Sequence, residues 1–387
     1  MASEQINKFY CYIYIYIIEF YMKIIALFNN KGGVGKSTLA YHVGHALSEL
    51  GHKTLLVDLD PQCNLTICGI DEEELHKIWE EEDPYIEDFE ESENKLKNLK
   101  TLMSQPRSVH FLLKPTEDGI SDTPVNPPVV KIAKNLDLIP GRLSIHKYEN
   151  KLAERWSAAY QGDNLSIRTI TKIRSICIDY AEQNKYKYII IDTSPSLGIL
   201  NKTIISTVDG FVIPAQPDMF SLYGIRNIGS ALESWSKEFK TMFGLISDEK
   251  RAKFPKSFVQ FLGYTIYNAR PYAGLNEYDL SQAHYDYVRQ IPDTIITFIK
   301  PTNRESIDER ILKKPIGGKS VMHSHNTFPS MSQKYKVPIW LIPEKASKVE
   351  EDTKLRNSIA GNKKIYEALK IKYQIFTKDL ITRISSL

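Results

Sequence analysis

Short apolar runs alternate with stretches of helical period along most of this chain, from position 22 onward. KIIALF (23–28) reads as a buried strand, and the segment after it carries Leu39, Ala40, Val43, Ala46, Leu47 and Leu50 on one helical face, closed by Gly51. TLLVDLD (54–60) resumes the strand pattern, giving strand, loop, helix, strand in order. Further strands are predicted at NLDLIPG (135–141), YKYIIID (186–192), GFVIPA (210–215) and FLGYTIYN (261–268). A helix bearing Ile167, Ile170, Ile173, Ile176, Cys177 and Tyr180 precedes YKYIIID, and MFSLYGIRNIGSALESW (219–235) forms another. Continuous apolar strands alternating with amphipathic helices predict an α/β fold, a mostly parallel twisted sheet flanked by helices.

Two stretches break this rhythm. Residues 71–135 begin with an acidic run poor in apolar positions, which reads as a solvated helical face, and continue into SDTPVNPPVV, whose three prolines preclude a long regular element, so the stretch reads as an insertion in one domain spanning 22–387. FYCYIYIYIIEFY (9–21) is interrupted by Glu19 and too short to span a membrane. It reads as upstream sequence before a start at Met22, with an extra edge strand or a hydrophobic anchor as alternatives.

Composition narrows the class. At 387 residues, 42% hydrophobic and 25% charged, the chain can bury a large core and is neither disordered nor fibrous. Its four cysteines, Cys11, Cys63, Cys68 and Cys177, have no paired or zinc-like spacing, which suits a reducing cytoplasm. The net charge is +3, but residues 71–100 hold thirteen acidic and four basic side chains, a balance of −9 that leaves +12 elsewhere. That basic remainder suits a polyanionic partner.

Candidate chemistry begins in FNNKGGVGKSTLA (28–40). Gly35-Lys36-Ser37 completes the phosphate-loop pattern G-x-x-x-x-G-K-[ST], except that Asn30 stands where the first glycine is required and Lys31 follows it. Gly32, Gly33 and Gly35 allow backbone N–H groups to turn toward phosphate oxygens, so the nucleotide-binding stretch runs from Lys31 through Val34 to Thr38. The helix beginning near Lys36 aims its positive end at the same point. Lys36 is placed to bridge the terminal phosphates of ATP, and the Ser37 hydroxyl to ligate Mg2+. A second metal anchor is expected at the carboxyl end of a neighbouring strand, where Asp192 stands. Alternation places Asp58 and Asp60 on one face of TLLVDLD, one for the metal's surroundings and one for the attacking water.

Taken together, KGGVGKST with its leading Lys31, VDLDPQCN, the strand ending at Asp192 before TSPSLG, and VIPAQPDMFSLYG resemble the ParA/MinD superfamily of deviant Walker A P-loop ATPases. The resemblance is to the partitioning-type ParA branch, covers about 22–70 and 135–270, and includes LIPGRLSIHKYENKLAERW. It implies that Lys31 reaches across a two-fold dimer to nucleotide bound by the partner, so that Lys31, Lys36 and Asp60 carry the hydrolytic chemistry. It further implies that Asp60 positions the water, that Asp58 is its metal-side neighbour, and that Asn268 reads the adenine edge. An ATP-dependent homodimer, non-specific DNA, a stimulating partner of ParB type or a cargo adaptor, and a cytoplasmic, nucleoid-associated location follow from the same resemblance.

The chain also departs from that branch. Ser194 replaces a proline common in switch II, which is expected to loosen that loop. No helix-turn-helix precedes the first strand, and the insertion is longer than in compact relatives. Lys363, Lys364, Lys370, Lys372, Lys378 and Arg383 make the C-terminus basic and suited to DNA phosphates. A MinD-like reading takes Ile371, Ile375, Phe376, Leu380, Ile381, Ile384 and Leu387 as an amphipathic membrane anchor instead, and a small-molecule kinase leaves Lys31 without a purpose. IGGKS (316–320) reads as a loop, His323-Ser324-His325 as no zinc site, and Cys63 and Cys68 as ordinary side chains near switch I.

Overall fold

The isoleucine-rich segments pair as their apolar runs require. The computed structural model describes residues 22–387, and the alternatives for residues 9–21 lie outside that range. The seven strands are β1 (Lys23–Leu27), β2 (Thr54–Asp58), β3 (Val130–Ala133), β4 (Leu136–Ile139), β5 (Tyr188–Asp192), β6 (Gly210–Ala215) and β7 (Gln260–Ile266), in the order β3-β4-β2-β5-β1-β6-β7. All neighbours run parallel except the edge strand β3, which is antiparallel to β4. β1, β2 and β5 are covered on both faces, which explains runs such as Ile189-Ile190-Ile191, all fully buried.

The helices that position the site are α1 (Lys36–Glu49), α2 (Asn64–Gly69), α3 (Glu72–Glu87), α4 (Val109–Asp118), α5 (His146–Arg155), α6 (Asn164–Asn184), α7 (Ile199–Thr207), α8 (Met219–Leu245), α9 (Phe328–Tyr335) and α10 (Lys363–Ile384). Helix α6 starts where Asp163 accepts a hydrogen bond from the Ser166 N–H at 2.8 Å. Helix α8 runs ten residues beyond its expected end, because Trp235, Phe239 and Met242 continue its buried face.

The insertion is largely helical. Helices α3 and α4 and the segment Phe89–Leu96 bury Tyr85, Phe89 and Phe111, whose rings lie 5.3 to 5.7 Å apart. The acidic residues Glu72, Glu73 and Glu74 occupy the first turn of α3, where they complement the helix dipole. The acidic run forms helices, as a solvated helical face requires, and helix caps at Asp88 and Ser108 with a few aromatic positions build them into a layer. Only the proline-rich end stays irregular, and it delivers the chain into β3.

Arg142, just after β4, holds this layer in place. Its guanidinium donates to the Trp79 carbonyl and to Glu82 Oε2, each at 3.0 Å, and also pairs with Asp83. Glu82 is fully buried and accepts the Ser108 N–H at 2.7 Å and hydroxyl at 2.6 Å, so its charge is matched by several donors.

At the other end of the chain, α10 packs against α1, and Tyr373, Phe376, Leu380 and Ile384 are buried. The amphipathic face proposed as a membrane anchor is largely spent on this packing, leaving Ile371 and Ile375 exposed. Arg383, expected on the basic surface, is instead buried, donates to the Leu262 carbonyl at 3.1 Å and pairs with Asp379. Lys370 pairs with Glu49 at 3.1 Å. Among the described residues no helix is long and apolar enough to cross a membrane.

Candidate nucleotide site

The carboxyl ends of β1, β2, β5 and β7 converge on one edge of the sheet, where ligands sit in open parallel α/β folds. The loop leaving β1 turns through Gly33 and Gly35, with φ of 73° and 79°, before α1 begins. Glycine is required at Gly35 twice over. Its φ is left-handed, and a Cβ there would lie 2.2 Å from the Tyr267 ring. The loop from Gly32 to Thr38, Val34 included, lines a cavity of about 430 Å³ together with Asp60 and Asn268.

Lys36 is buried at the base of this loop, its Nζ donating to the carbonyls of Asn29 at 3.2 Å and Lys31 at 3.3 Å. Burial lowers its pKa, and Asp192 and Asp60 oppose that shift. Asp192 is fully buried, and neither of its carboxylate oxygens has a hydrogen-bond partner that meets good geometry. Burial and the neighbouring Asp58 push its pKa well above the usual carboxylate range, with Ser37 and Lys36 pulling it back. A buried carboxylate without a partner, beside a serine hydroxyl at a phosphate loop, fits a divalent cation.

Asp58 and Asp192 end adjacent strands in register, so their side chains share a face. Asp58 is otherwise occupied: Oδ2 accepts the Thr66 hydroxyl at 2.6 Å and N–H at 2.8 Å, and Oδ1 accepts the Asp60 N–H at 3.1 Å. Burial raises its pKa to about 6 against these hydrogen bonds. Strand alternation does not relate the two aspartates as expected. β2 ends at Asp58, and Asp60 sits in the following turn because Pro61 cannot continue the ladder. Asp60 still faces the cavity, with Oδ1 accepting the Gln62 N–H at 3.0 Å.

Lys31 does not line its own cavity. Its ammonium donates to Gln216 Oε1 at 2.8 Å, pairs with Asp218 and lies 6.0 Å from the Phe220 ring centre. Burial alone would raise the Asp218 pKa, but hydrogen bonds from Lys31 and Ser221 bring it below the ordinary value. Met219, Phe220 and Tyr223, in the first turns of α8, are exposed at 46%, 67% and 54%. Asn268 is exposed at the cavity rim with φ of 60°, a left-handed turn position that asparagine tolerates.

Several residues at the site were not anticipated. His325, Asn326, Pro329 and Gln333, from and just before α9, form the wall facing the phosphate loop. Nothing in their local pattern announces this, because the wall exists only once α9 packs on α2. Asn201 on α7 donates to the carbonyls of Ser194 and Ser196, both at 2.8 Å, which ties the segment after β5 to that helix. His323 Nε2 donates to the Tyr278 carbonyl at 2.9 Å, and His325 Nε2 lies 3.1 Å from the Tyr373 hydroxyl. No cluster of three or more potential metal-binding His, Cys, Asp or Glu side chains occurs among the described residues. Cys63, Cys68 and Cys177 are free thiols.

A family model, AAA_31, described as an AAA domain, matches residues 22–244. The chain belongs to this family, within the ParA-like branch of the ParA/MinD superfamily. It is 28% identical over 220 residues to the sporulation initiation inhibitor protein Soj of Bacillus subtilis, covering 57% of this chain and 68% of that one. It is 26% identical to the chromosome partitioning protein ParA of Myxococcus xanthus, over 54% of this chain and 58% of that one. An uncharacterized protein of Methanocaldococcus jannaschii is 30% identical over 53% of this chain and 63% of its own length, and the chain spans about half to two thirds of such relatives. Among solved structures, pNOB8 ParA shares the fold with a TM-score of 0.53 and 20% identity, covering 94% of this chain and 98% of that one. The same protein bound to nonspecific DNA gives 0.51 at 19% identity, over the same shares of the two chains. This P-loop ATPase fold is the mostly parallel sheet expected from the apolar pattern.

Proposed function

We propose that this ParA-type protein is an ATP-operated switch in which two copies sandwich two ATP molecules. In that state the dimer binds duplex DNA without sequence preference and positions or segregates DNA or another cargo. The observation that carries this reading is the placement of Lys31, which leaves its own phosphate loop to Lys36 and presents its ammonium beside exposed Met219, Phe220 and Tyr223. A cation at the edge of an exposed apolar patch suits an interface that completes the site of a second copy.

Within one copy, backbone N–H groups from Gly32 to Thr38 and the Lys36 ammonium hold the phosphates, while Asn268 stands where an adenine edge can be read. Ser37 and Asp192 would hold Mg2+, with Asp58 nearby, and a bound ion supplies charge neutralisation along the triphosphate. Asp60 orients the water for in-line attack on the γ-phosphate. Hydrolysis then dissolves the dimer and releases DNA, at a rate raised by a partner of ParB type or a cargo adaptor. Exposed Lys363, Lys364 and Lys378 remain available for phosphate contacts, and the related ParA captured with nonspecific DNA supports this use. A cytoplasmic, nucleoid-associated location accords with it. The membrane-anchored alternative is disfavoured by the burial of Phe376, Leu380 and Ile384.

DNA affinity is expected to appear with ATP or a slowly hydrolysed analogue and to be lost with ADP, since a dimer doubles the phosphate contacts on one rigid surface. Fluorescence anisotropy on several unrelated duplexes over a salt series measures this. Equal binding with ADP, or none with ATP at low salt, refutes the DNA reading.

A further inference from the structure

The helical insertion meets the loop that carries Asp60 through a continuous chain of hydrogen bonds. The Trp79 indole N–H, on α3, donates to the Gly141 carbonyl at 3.2 Å. The Gly141 N–H donates to Thr66 Oγ1 at 2.7 Å, and that hydroxyl donates to Asp58 Oδ2 at 2.6 Å. Asp58 Oδ1 then receives the Asp60 N–H at 3.1 Å. Thr66 and Asp58 are both fully buried, so neither can exchange these partners for water.

Two further observations mark this chain of bonds as a built feature. A Cβ on Gly141 would lie 3.1 Å from both Asp58 Cγ and Cys63 Sγ and 3.2 Å from the Asp58 carbonyl, so a side chain there would crowd this turn. Cys63, at the N-cap just before α2, has φ of 54°, a left-handed backbone held inside the same turn. Arg142 clamps the far end, binding the Trp79 carbonyl and the buried Glu82. The Thr66 hydroxyl donates and accepts at once, so each bond polarises the next.

We infer that Thr66 and Trp79 are positioning residues for hydrolysis: the insertion acts as a brace that sets the Asp60 turn through Gly141, Thr66 and Asp58. Neither residue need touch the nucleotide. The inference rests on the reading of the chain as an ATPase whose water is set by Asp60. It assigns a purpose to the acidic insertion, since removing its Trp79 contact should reach the reacting centre while leaving the phosphate grip intact.

The test is steady-state ATP hydrolysis of the full chain, with ATP affinity measured separately by titration of a fluorescent analogue. Thr66→Val keeps the shape but removes the hydroxyl and with it two hydrogen bonds, from Gly141 and to Asp58, and kcat should fall about tenfold or more. KM and analogue affinity should stay within about twofold, because ground-state binding is untouched. Thr66→Ser restores the donor and acceptor and should recover most of the rate. Trp79→Phe, at a partly exposed position that tolerates a smaller ring, should lower kcat about threefold with the same split, as expected for a weaker, more distant bond. Wild-type kcat in both Thr66→Val and Trp79→Phe overturns the brace, as does a rise in KM without a change in kcat. Failure of Thr66→Ser to recover the rate also overturns it. If the unmodified protein hydrolyses no ATP, the ATPase reading itself falls and takes this inference with it, a result distinct from intact turnover in the variants.

Discussion

Lys31→Ala is expected to bind ATP as the unmodified protein does and to remain monomeric in its presence. Lys36, the backbone N–H groups of the loop and the Asp192 and Ser37 pair are all untouched by the change. The ion pair it removes within one copy has little effect on the fold: the Lys31 and Asp218 side chains are 22% and 36% exposed, and partly exposed pairs contribute about 0 to 1 kcal/mol. Across a dimer the loss is far larger. Each of two buried triphosphates loses a cation whose charge nothing else replaces, a cost on the order of several kcal/mol in association. The two effects therefore separate cleanly. ATP titration beside light scattering, with a slowly hydrolysed analogue, gives both quantities. A dimer as stable as the wild type's, or an ATP affinity as poor as that of Lys36→Ala, eliminates the trans contact and with it the switch.

Asp60→Ala should show the opposite pattern, binding ATP, forming the dimer and accumulating there. The Asp60 carboxylate makes one backbone contact, to the Gln62 N–H, and otherwise faces the cavity. Its removal leaves the phosphate loop and Asp58 in place, so binding and dimerisation persist. What disappears is the group proposed to orient the water, a loss worth about a hundredfold or more in rate. Phosphate release measured on the ATP-loaded dimer should fall accordingly, and DNA binding should outlast the added ATP in time courses. Normal turnover in Asp60→Ala would leave the water to another residue and require the assignment to be redrawn.

Both predictions concern residues legible in the chain, yet their roles were legible to different degrees. The phosphate loop, the strands β1, β2, β5 and β6, and the carboxylates ending two of those strands follow from local rules. Glycine spacing sets the loop, apolar runs set the strands, and a parallel sheet brings strand ends to one edge. Asp218 lies inside VIPAQPDMFSLYG, but its contact with Lys31 joins residues 187 apart in the chain, which no local period encodes.

Positions whose meaning depends on packing were the least legible. The acidic composition of 71–135 describes the surface of its helices, while a few aromatic residues and one buried glutamate hold them to the sheet. Arg383 reads as one more surface cation by charge, and burial against Leu262 and Asp379 removes it from solvent. The wall from His325 to Gln333 and the Thr66–Gly141 bond likewise exist only after distant segments meet. Sequence alone thus determined the sheet, the phosphate loop and the residue types able to handle a nucleotide, because backbone period and glycine conformation act within a few residues. Tertiary structure decided which charges are solvated, which are paired and what holds the Asp60 turn, because burial and hydrogen-bond partners are supplied by elements far apart in the chain.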